Sequence, residues 1–210
     1  MKDELRRNMR EKLKTIAQPA YLPADCTDRI IELYNTAQKR RKLSRFKTLF
    51  TYLAFGHEID TGRCVEEAFS QGHIVVAPRT LKDTLNFHRI KSLDGPFETG
   101  VFGIREPPAD TDCLFPVSVV SQIQFPVLIL VPGLAFTRSG ARLGRGAGYY
   151  DRFLSSFLAT FSARRDEILL AGCCHTFQVV EEFPTDPHDV PVDCLITERD
   201  CILSMSPINS

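Results

Sequence analysis

Apolar and polar positions repeat along the chain with two different periods. Near the start, apolar residues recur at intervals of four, four and three: Leu5, Met9, Leu13 and Ile16. This spacing places them on one side of a helix, so we predict an amphipathic helix over residues 2–16. Basic residues occupy another face of that helix, also at intervals of four: Lys2, Arg6 and Arg10.

The same reasoning predicts further helices and a series of strands. Short apolar or alternating runs bounded by turn residues indicate strands at 46–55, 74–77, 85–90, 127–131, 167–172 and 194–197. Helical spacing with N-capping residues indicates helices at 25–42, from 60 or 61 to 72, and at 149–161. A turn or short helix is expected near 177–183. Proline and glycine are frequent in 91–125, where we expect loop with at most one short strand.

Strands that alternate with helices indicate an α/β fold. We predict a Rossmann-like three-layer sandwich, in which helices cover both faces of a mainly parallel sheet. The chain shows no linker, internal repeat or low-complexity segment, so residues 1–210 are predicted to form a single domain. Ligands of such sheets bind at the carboxyl ends of the strands.

Composition narrows the classes of partner. The chain of 210 residues has 26 basic and 26 acidic residues, whereas nucleic-acid-binding proteins usually show a basic excess. We therefore expect no nucleic-acid partner, and we interpret the basic run 39–42 as a solvated helix end. The absence of a signal peptide or a long apolar stretch leads us to expect a cytoplasmic protein without membrane association.

Cysteine usage argues against metal or redox chemistry. Seven cysteines are present and no two form a C-x-x-C pair, which disfavours a zinc site. Cys173, Cys174 and His175 end an apolar run, so we interpret them as structural residues.

The most informative segment is the glycine- and arginine-rich loop that follows the predicted strand 127–131. It carries Gly140, Gly144, Gly146 and Gly148 among Arg138, Arg142 and Arg145, and a helix follows at once. Glycines let backbone N–H groups approach an anion, the helix N-terminus attracts it, and arginine forks hold its oxygens. The loop has neither the Walker A nor the dinucleotide-binding spacing. It predicts a polyphosphate site, with an ordinary glycine-rich surface turn as the alternative.

Two aspartates are candidates for a magnesium site beside this loop. Asp151 follows the glycines directly, and Asp189 lies in a proline-bounded segment before the predicted strand 194–197. Mg²⁺ takes one or two carboxylates together with phosphate oxygens and water. The alternatives are a first-turn helix carboxylate for Asp151 and a turn residue for Asp189.

Two further residues are candidates for binding an organic ring. Glu58 follows the predicted strand 46–55 and has the acceptor oxygens to bind the N–H groups of a polar heterocycle. Phe102 lies between glycines in residues 99–107, which have the composition of a binding loop. A solvated carboxylate and an isolated apolar loop residue are the alternatives.

Five ordered segments of the chain resemble the 5-formyltetrahydrofolate cyclo-ligase family. They are Lys2-x-x-Leu5-Arg6, residues 53–61 with Glu58, residues 100–107, residues 132–151 and residues 188–198. The resemblance implies an ATP- and Mg²⁺-dependent ligase that forms a carbon–nitrogen bond and converts 5-formyltetrahydrofolate to 5,10-methenyltetrahydrofolate, releasing ADP and phosphate. It also implies small-molecule substrates only, and we expect a monomer.

The resemblance also implies roles for individual residues. The ATP site would comprise Lys2, Arg6, Arg142, Leu143, Gly144, Arg145, Gly146, Ala147, Gly148, Tyr149 and Tyr150. The folate would be bordered by Leu53, Glu58, Phe102 and Tyr149. Asp151 and Asp189 would bind Mg²⁺, and Arg142, Arg145 and Tyr149 would act in catalysis. The formyl oxygen would be phosphorylated before N10 closes the ring.

Two positions depart from the family pattern. Thr137 stands where an aspartate is common, and Ala147 stands where a glycine or lysine is common. They leave open a non-catalytic nucleotide- or folate-binding protein on the same scaffold. A sugar-phosphate isomerase or CoA-transferase type of enzyme on a related sheet is a third hypothesis, which predicts no dependence on ATP. Whether residues 108–125 close over the folate also remains open.

Overall fold

Thirteen strands are found among the described residues of the protein, for which we obtained a computed structural model. In chain order they are β1 (Thr48–Phe50), β2 (Ile74–Leu81), β3 (Thr84–Ile90), β4 (Glu98–Thr99), β5 (Arg105–Glu106), β6 (Cys113–Phe115), β7 (Val127–Pro132), β8 (Ala135–Thr137), β9 (Arg142–Leu143), β10 (Ile168–Cys173), β11 (Val179–Val180), β12 (Cys194–Ile196) and β13 (Cys201–Leu203). The structure describes residues 1–16, 20–23, 25–37, 45–116 and 122–204, without the side chains of Tyr34 and Phe102.

A large sheet with parallel strands at its centre organises the fold. Its strands within the described ranges follow the order β13-β12-β10-β7-β1-β2-β3-β6. The strands from β12 to β2 are parallel, while β13 on one side and β3 and β6 on the other are antiparallel. The central strands are buried along nearly their whole length, as expected when both faces are covered. The predicted mainly parallel α/β sheet is confirmed.

Helices cover the two faces of this sheet. The α-helices of the described part are α1 (Lys2–Lys14), α2 (Cys26–Ala37), α3 (Gly62–Ser70) and α4 (Tyr149–Thr160). Helices α2 and α3 bury Ile30 and Val65 against one face of the sheet, and α4 buries Phe153 and Phe157 against the other. Alternate residues of each strand enter the two cores, so the three-layer arrangement is confirmed.

Helix α1 packs outside these layers on a small sheet. Strands β11, β8 and β9 form this second sheet. Met9 and Leu13 of α1 are buried against Leu134, Leu143 and Phe183. The apolar face predicted from spacing therefore packs on the segment that carries the glycine-rich loop, which brings the basic face of α1 near that loop.

The structure corrects the predicted end of one strand. We expected the strand that begins at Ile74 to end before Pro78, but β2 continues to Leu81 and pairs Pro78 with Phe87 of β3. Its other neighbour, β1, pairs only as far as Phe50 with Val76. Beyond that point one side of β2 has no strand partner among the described residues, and a proline without an N–H group is tolerated there.

Several other segments differ from the prediction. The strand predicted at 46–55 covers only Thr48–Phe50, because the chain then leaves the sheet and hydrogen-bonds to the segment before α3. Residues 91–125 contain three short strands in their described part, β4, β5 and β6, where we expected at most one. The turn or short helix expected near 177–183 is present as the 3-10 helix Thr176–Gln178, and it is followed by the unpredicted strand β11. The basic run 39–42 lies outside the described residues.

Part of the segment 108–125 has a defined place in the fold. Within 108–125, Cys113–Phe115 is an edge strand of the large sheet, and the Phe115 ring lies 5.1 Å from Phe157 of α4, so this part is packed on the core. Residues 117–121 lie outside the described part.

No helix in the described ranges is both long and apolar enough to cross a membrane.

Candidate functional site

A cavity of about 1090 Å³ opens beside the carboxyl ends of β1 and β7. The residues that we predicted for nucleotide, folate and metal line it together: Lys2, Arg6, Leu53, Glu58, Arg142, Leu143, Gly144, Arg145, Gly146, Ala147, Gly148, Tyr149, Tyr150, Asp151 and Asp189. They come from separate parts of the chain. The fold therefore places the predicted groups around one space large enough for a nucleotide and a second substrate.

The glycine-rich loop joins β9 to α4 along one wall of this cavity. Its last residue, Gly148, precedes α4 with a left-handed φ of 68°. A Cβ atom at this position would lie 2.9 Å from Nη1 of Arg152. Glycine thus satisfies both the backbone conformation and the close approach, and the N-terminus of α4 opens into the cavity.

Helix α1 holds this loop from outside. Nε of Arg6 donates to the carbonyl oxygen of Gly144 at 3.2 Å, and Nη2 of Arg10 donates to the carbonyl oxygen of Arg145 at 2.9 Å. Arg10 also lines the cavity, although we did not predict it as a site residue. The signal was present in the regular spacing of the basic face of α1.

Arg142 is a buried cation at the start of the loop. Its Nη2 donates to Oδ1 of Asp151 at 2.6 Å, while its buried Nε has no hydrogen-bond partner among the described residues. The buried hydroxyl of Tyr150 also lacks a partner in that part of the chain. Burial, followed by the negative charge of Glu58, raises the pKa of Tyr150 well above its ordinary value, so its hydroxyl stays protonated. Two buried donors beside the cavity are therefore left without a partner among the described residues.

A second set of charges lies where the first turn of α1 meets residues 186–189. Nζ of Lys2 contacts Oδ2 of Asp186 at 2.6 Å and Oδ2 of Asp189 at 2.9 Å. The hydrogen bond to Asp186 is the main cause that raises the pKa of Lys2. Partial burial alone would raise the pKa of Asp189. The N–H of Asp186 and the Lys2 cation outweigh it, so that pKa lies below its ordinary value.

These residues also form a potential metal site. Asp186, His188 and Asp189 each offer a ligand atom, and these atoms all lie within 4.8 Å of one another. We predicted Asp189 but not Asp186 or His188. Asp151 is nearby, because its Oδ1 accepts the N–H of Val190 at 3.5 Å. The two predicted metal-binding aspartates are thus brought to the same part of the cavity.

Glu58 is held by two contacts on another wall. Its Oε1 accepts from Nη2 of Arg145 at 2.8 Å, and its Oε2 accepts the N–H of Phe55 at 3.1 Å. The pair joins the predicted folate residue to an arginine of the predicted nucleotide loop. Across the cavity, the hydroxyl of Tyr149 donates to the carbonyl oxygen of Lys82 at 3.0 Å, which ties α4 to the turn between β2 and β3.

Three other predicted positions have different outcomes. The side chain of Phe102 lies outside the described part of the structure, so its predicted stacking role stays a prediction. Thr137 is not among the described residues that line the cavity. It closes the turn between β8 and β9, because its hydroxyl accepts the N–H of Ala141 at 3.0 Å and contacts Ser139. Its departure from the family pattern therefore removes no cavity-lining carboxylate. Ala147, in contrast, lies on the cavity wall.

The adjacent cysteines behave as structural residues. Cys173 and Cys174 are buried, and burial raises the pKa of Cys174 to about 12. Their thiols are therefore protonated near neutral pH and lack the reactivity of a thiolate. Neither belongs to the described residues that line the cavity.

Residues 1–198 match the model of the 5-formyltetrahydrofolate cyclo-ligase family. The chain belongs to this family. The match spans all five segments that carried the resemblance in the sequence. Members of the family are ligases by name, so the protein belongs to a family of enzymes.

Individual relatives support the assignment over most of the chain. The chain is 32% identical over 166 residues to a 5-formyltetrahydrofolate cyclo-ligase of Mycolicibacterium smegmatis, covering 76% of this chain and 77% of the relative. It is 25% identical over 208 residues to the mouse enzyme of the same name, covering 92% of each. A solved 5,10-methenyltetrahydrofolate synthetase from Aquifex aeolicus is similar with a TM-score of 0.66 at 26% identity, covering 100% of this chain and 95% of that one.

Proposed function

We propose that the protein catalyses the ATP- and Mg²⁺-dependent conversion of 5-formyltetrahydrofolate to 5,10-methenyltetrahydrofolate, with release of ADP and phosphate. The observation that carries the proposal is that a glycine- and arginine-rich loop, the basic face of α1, several carboxylates and a set of apolar side chains line one cavity. The names of the family and of its relatives support the same reaction.

The described residues fit a nucleotide. Bound polyphosphate would accept from loop N–H groups at the N-terminus of α4, and a shift of the Arg142 and Tyr150 side chains would bring their unpartnered Nε and hydroxyl groups to it. Lys2 and Arg6 would add positive charge from α1. Burying donors without partners is costly, so a ligand that satisfies them gains that free energy on binding.

The described carboxylates fit Mg²⁺, which prefers oxygen ligands. Asp151 and Asp189 would hold the ion, and the proximity of Asp186 extends the acidic set. Bound Mg²⁺ would neutralise negative charge on the phosphate oxygens. Because Asp151 pairs with Arg142 and Asp189 with Lys2, each cation would turn from its carboxylate toward phosphate as the ion and nucleotide bind.

The remaining wall of the cavity suits a reduced folate. Leu53, Phe55 and Tyr149 provide apolar and aromatic surface, and Glu58 provides acceptor oxygens. Phe102 is proposed to complete this wall. The folate would then lie next to the loop that holds the nucleotide, with Arg145 between the two substrates.

In the proposed reaction, the formyl oxygen attacks the terminal phosphorus of ATP. An O–P bond forms as the bond between that phosphorus and ADP breaks. N10 then attacks the formyl carbon, phosphate departs with the electrons of the C–O bond, and the N10 proton is released. Arg142 and Arg145 would neutralise charge and Tyr149 would position the folate. Such a reaction depends on positioning and electrostatics and needs no protein nucleophile.

One assay tests this function. The purified protein is mixed with 5-formyltetrahydrofolate and MgATP, and near-ultraviolet absorbance reports the methenyl product, with ATP or Mg²⁺ omitted as controls. We expect a rise only in the complete mixture. Binding of both substrates without a rise would favour a non-catalytic binding protein. Absence of ATP binding would contradict the nucleotide site and favour the isomerase or transferase alternative.

The same proposal covers cellular context. We infer a monomer that acts in the cytoplasm on small molecules, without nucleic acid or membrane, as one domain over residues 1–210. The balanced charge of the chain supports this inference, with 26 basic and 26 acidic residues.

A further inference from the structure

A buried carboxylate lines the cavity away from the glycine-rich loop. Glu106 of β5 is only 4% exposed, yet it forms part of the cavity wall. Its Oε1 accepts the N–H of Thr80 of β2 at 3.1 Å. Neither the nucleotide site nor the metal site described above uses this residue.

The surroundings of Glu106 fix its position. It pairs with Glu98 across the two-stranded sheet of β4 and β5. A Cβ atom at Gly100 would overlap the Glu106 carboxyl group, so the missing side chain of Gly100 provides the space that the carboxylate fills. The N–H of Gly100 donates to the carbonyl oxygen of Ile104 at 2.8 Å, which closes the connecting turn.

The cavity wall next to Glu106 is apolar. Pro78, Leu85 and Ile104 also line the cavity there, and Leu85 is the register partner of Thr80. The nearby cation Arg79 does not pair with Glu106. Its Nη1 donates to Glu98 at 2.6 Å and to the carbonyl oxygen of Pro107 at 2.7 Å.

An isolated carboxylate in this setting is energetically unfavourable. A carboxylate has about four acceptor positions, and the described residues donate to Glu106 only through Thr80. Burying a charged group costs free energy unless hydrogen bonds compensate. A ligand with adjacent N–H donors and a flat apolar ring would satisfy the carboxylate and cover its apolar neighbours.

We propose that Glu106 is a positioning residue that binds the aminopyrimidinone edge of the folate. This proposal rests on the proposed function, which supplies a reduced pterin ring as substrate. That ring carries N3–H and the 2-amino group side by side, and one carboxylate accepts from both. Glu58 accepts from both Arg145 and Phe55, whereas Glu106 accepts from Thr80 alone among the described residues, so Glu106 has more acceptor positions left for a ligand.

The proposed contact would orient the ring. The formyl group on N5 and the N10 nitrogen lie on the other side of the pterin system, away from the N3–H edge. Anchoring that edge at Glu106 would leave both reacting groups free to face the glycine-rich loop. A loss of the anchor should therefore weaken folate binding while leaving nucleotide binding intact.

The test compares Glu106→Gln with Glu98→Gln, its exposed cross-strand partner. In Glu106→Gln, the amide oxygen of the introduced side chain still accepts from Thr80, but its NH₂ group would face the donors of the ligand. Dissociation constants are measured for 5-formyltetrahydrofolate and for its analogue without the 2-amino group. We expect wild type and Glu98→Gln to bind the analogue at least about 10-fold more weakly than the folate, a difference of about 1.4 kcal/mol.

Glu106→Gln should bind the folate at least about 10-fold more weakly than the wild type does. Its affinity for the analogue should be close to that of the wild type, and its KM for ATP should be unchanged. Unchanged folate affinity, or equal extra losses for both ligands, would overturn the proposal. If the variant does not fold, the wild-type comparison decides, because equal binding of folate and analogue contradicts the contact. Wild-type turnover is measured in parallel, so failure of the proposed reaction with folate bound is seen separately.

Discussion

Arg142 donates a hydrogen bond from Nη2 to Oδ1 of Asp151 at 2.6 Å, which pairs the buried cation of the glycine-rich loop with the first acidic residue of α4. Two similar pairs border the cavity, Lys2 with Asp189 and Arg145 with Glu58. In each pair a proposed phosphate-binding cation contacts a carboxylate proposed to bind Mg²⁺ or folate. Ligand binding would exchange these partners without leaving a charge uncompensated.

The first prediction concerns Asp151. Asp151→Asn keeps an oxygen that accepts from Arg142 but removes the negative charge proposed to hold Mg²⁺. We expect the Mg²⁺ concentration that gives half-maximal rate to rise at least about 10-fold, because one charged ligand contact contributes about 1.5–3 kcal/mol. Initial rates over a Mg²⁺ series measure it. The exposed Asp112→Asn serves as the control, and an Asp151→Asn series that matches it would remove Asp151 from the metal site.

A second prediction concerns the basic face of α1. Lys2→Ala should raise the KM for ATP about 10-fold. This factor corresponds to about 1.4 kcal/mol of binding free energy lost with one charged contact. Lys14→Ala changes an exposed lysine at the other end of the same helix and should leave the KM unchanged. Circular dichroism of both variants checks that the helix is retained. Equal KM values for the two variants would argue against phosphate contact by Lys2.

Glu58 gives a third prediction, which separates the two substrates. Glu58→Gln weakens the contact with Arg145 and removes the charge beside the proposed folate wall. We expect the KM for 5-formyltetrahydrofolate to rise about 10-fold, with a smaller effect on ATP, because the arginine remains free to bind phosphate. Steady-state kinetics with each substrate varied in turn provide the measurement. Glu181→Gln, at an exposed site outside the cavity, is the matched control. An unchanged folate KM would exclude this role for Glu58.

The fourth prediction concerns pH. The pKa of Asp189 is lowered, so the stabilisation from its pairing is present above the ordinary aspartate value and is lost as pH falls through the lowered one. The pKa of Lys2 is raised, so its contribution is present below the ordinary lysine value and is lost as pH rises through the raised one. Both groups thus stay charged between about pH 5 and 9.

Carboxyl NMR of Asp189 during acid titration measures this shift. We expect the midpoint to lie below the ordinary value of 3.8 and to move upward in Lys2→Ala. A wild-type midpoint at or above 3.8 would contradict the ion pair.

Much of this architecture could be predicted because it depends on local periodicity. The apolar spacing of α1 correctly indicated its buried face, and the same spacing places Arg10 beside Arg6 on the basic face that contacts the loop. The glycine- and arginine-rich loop was recognisable because its chemistry lies in consecutive residues. Strands β8 and β9, which precede the loop, were not predicted, since strands of three and two residues show no usable alternation.

Residues that depend on long-range folding were harder to predict. Asp186 was not predicted because its contact with Lys2 joins residues 184 positions apart. Glu106 belongs to a recognised segment, but its burial arises only when β5 packs beside β2. The end of the strand at Pro78 was wrongly predicted from local sequence, because proline usually ends a strand. Here β1 ends earlier, so that side of β2 needs no N–H donor and the strand continues.

The packing of α1 has a consequence for biosynthesis. Its 13 residues leave the ribosome before the segments on which they pack, and a helix of that length is marginal in water without tertiary contacts. The carboxylate of Asp189 lies 187 positions after Lys2 and is among the last of its partners to be made. Lys2 therefore stays without these carboxylate partners until the last segments are made, and a ribosome-stalled chain that ends before residue 186 should lack both of its ion pairs.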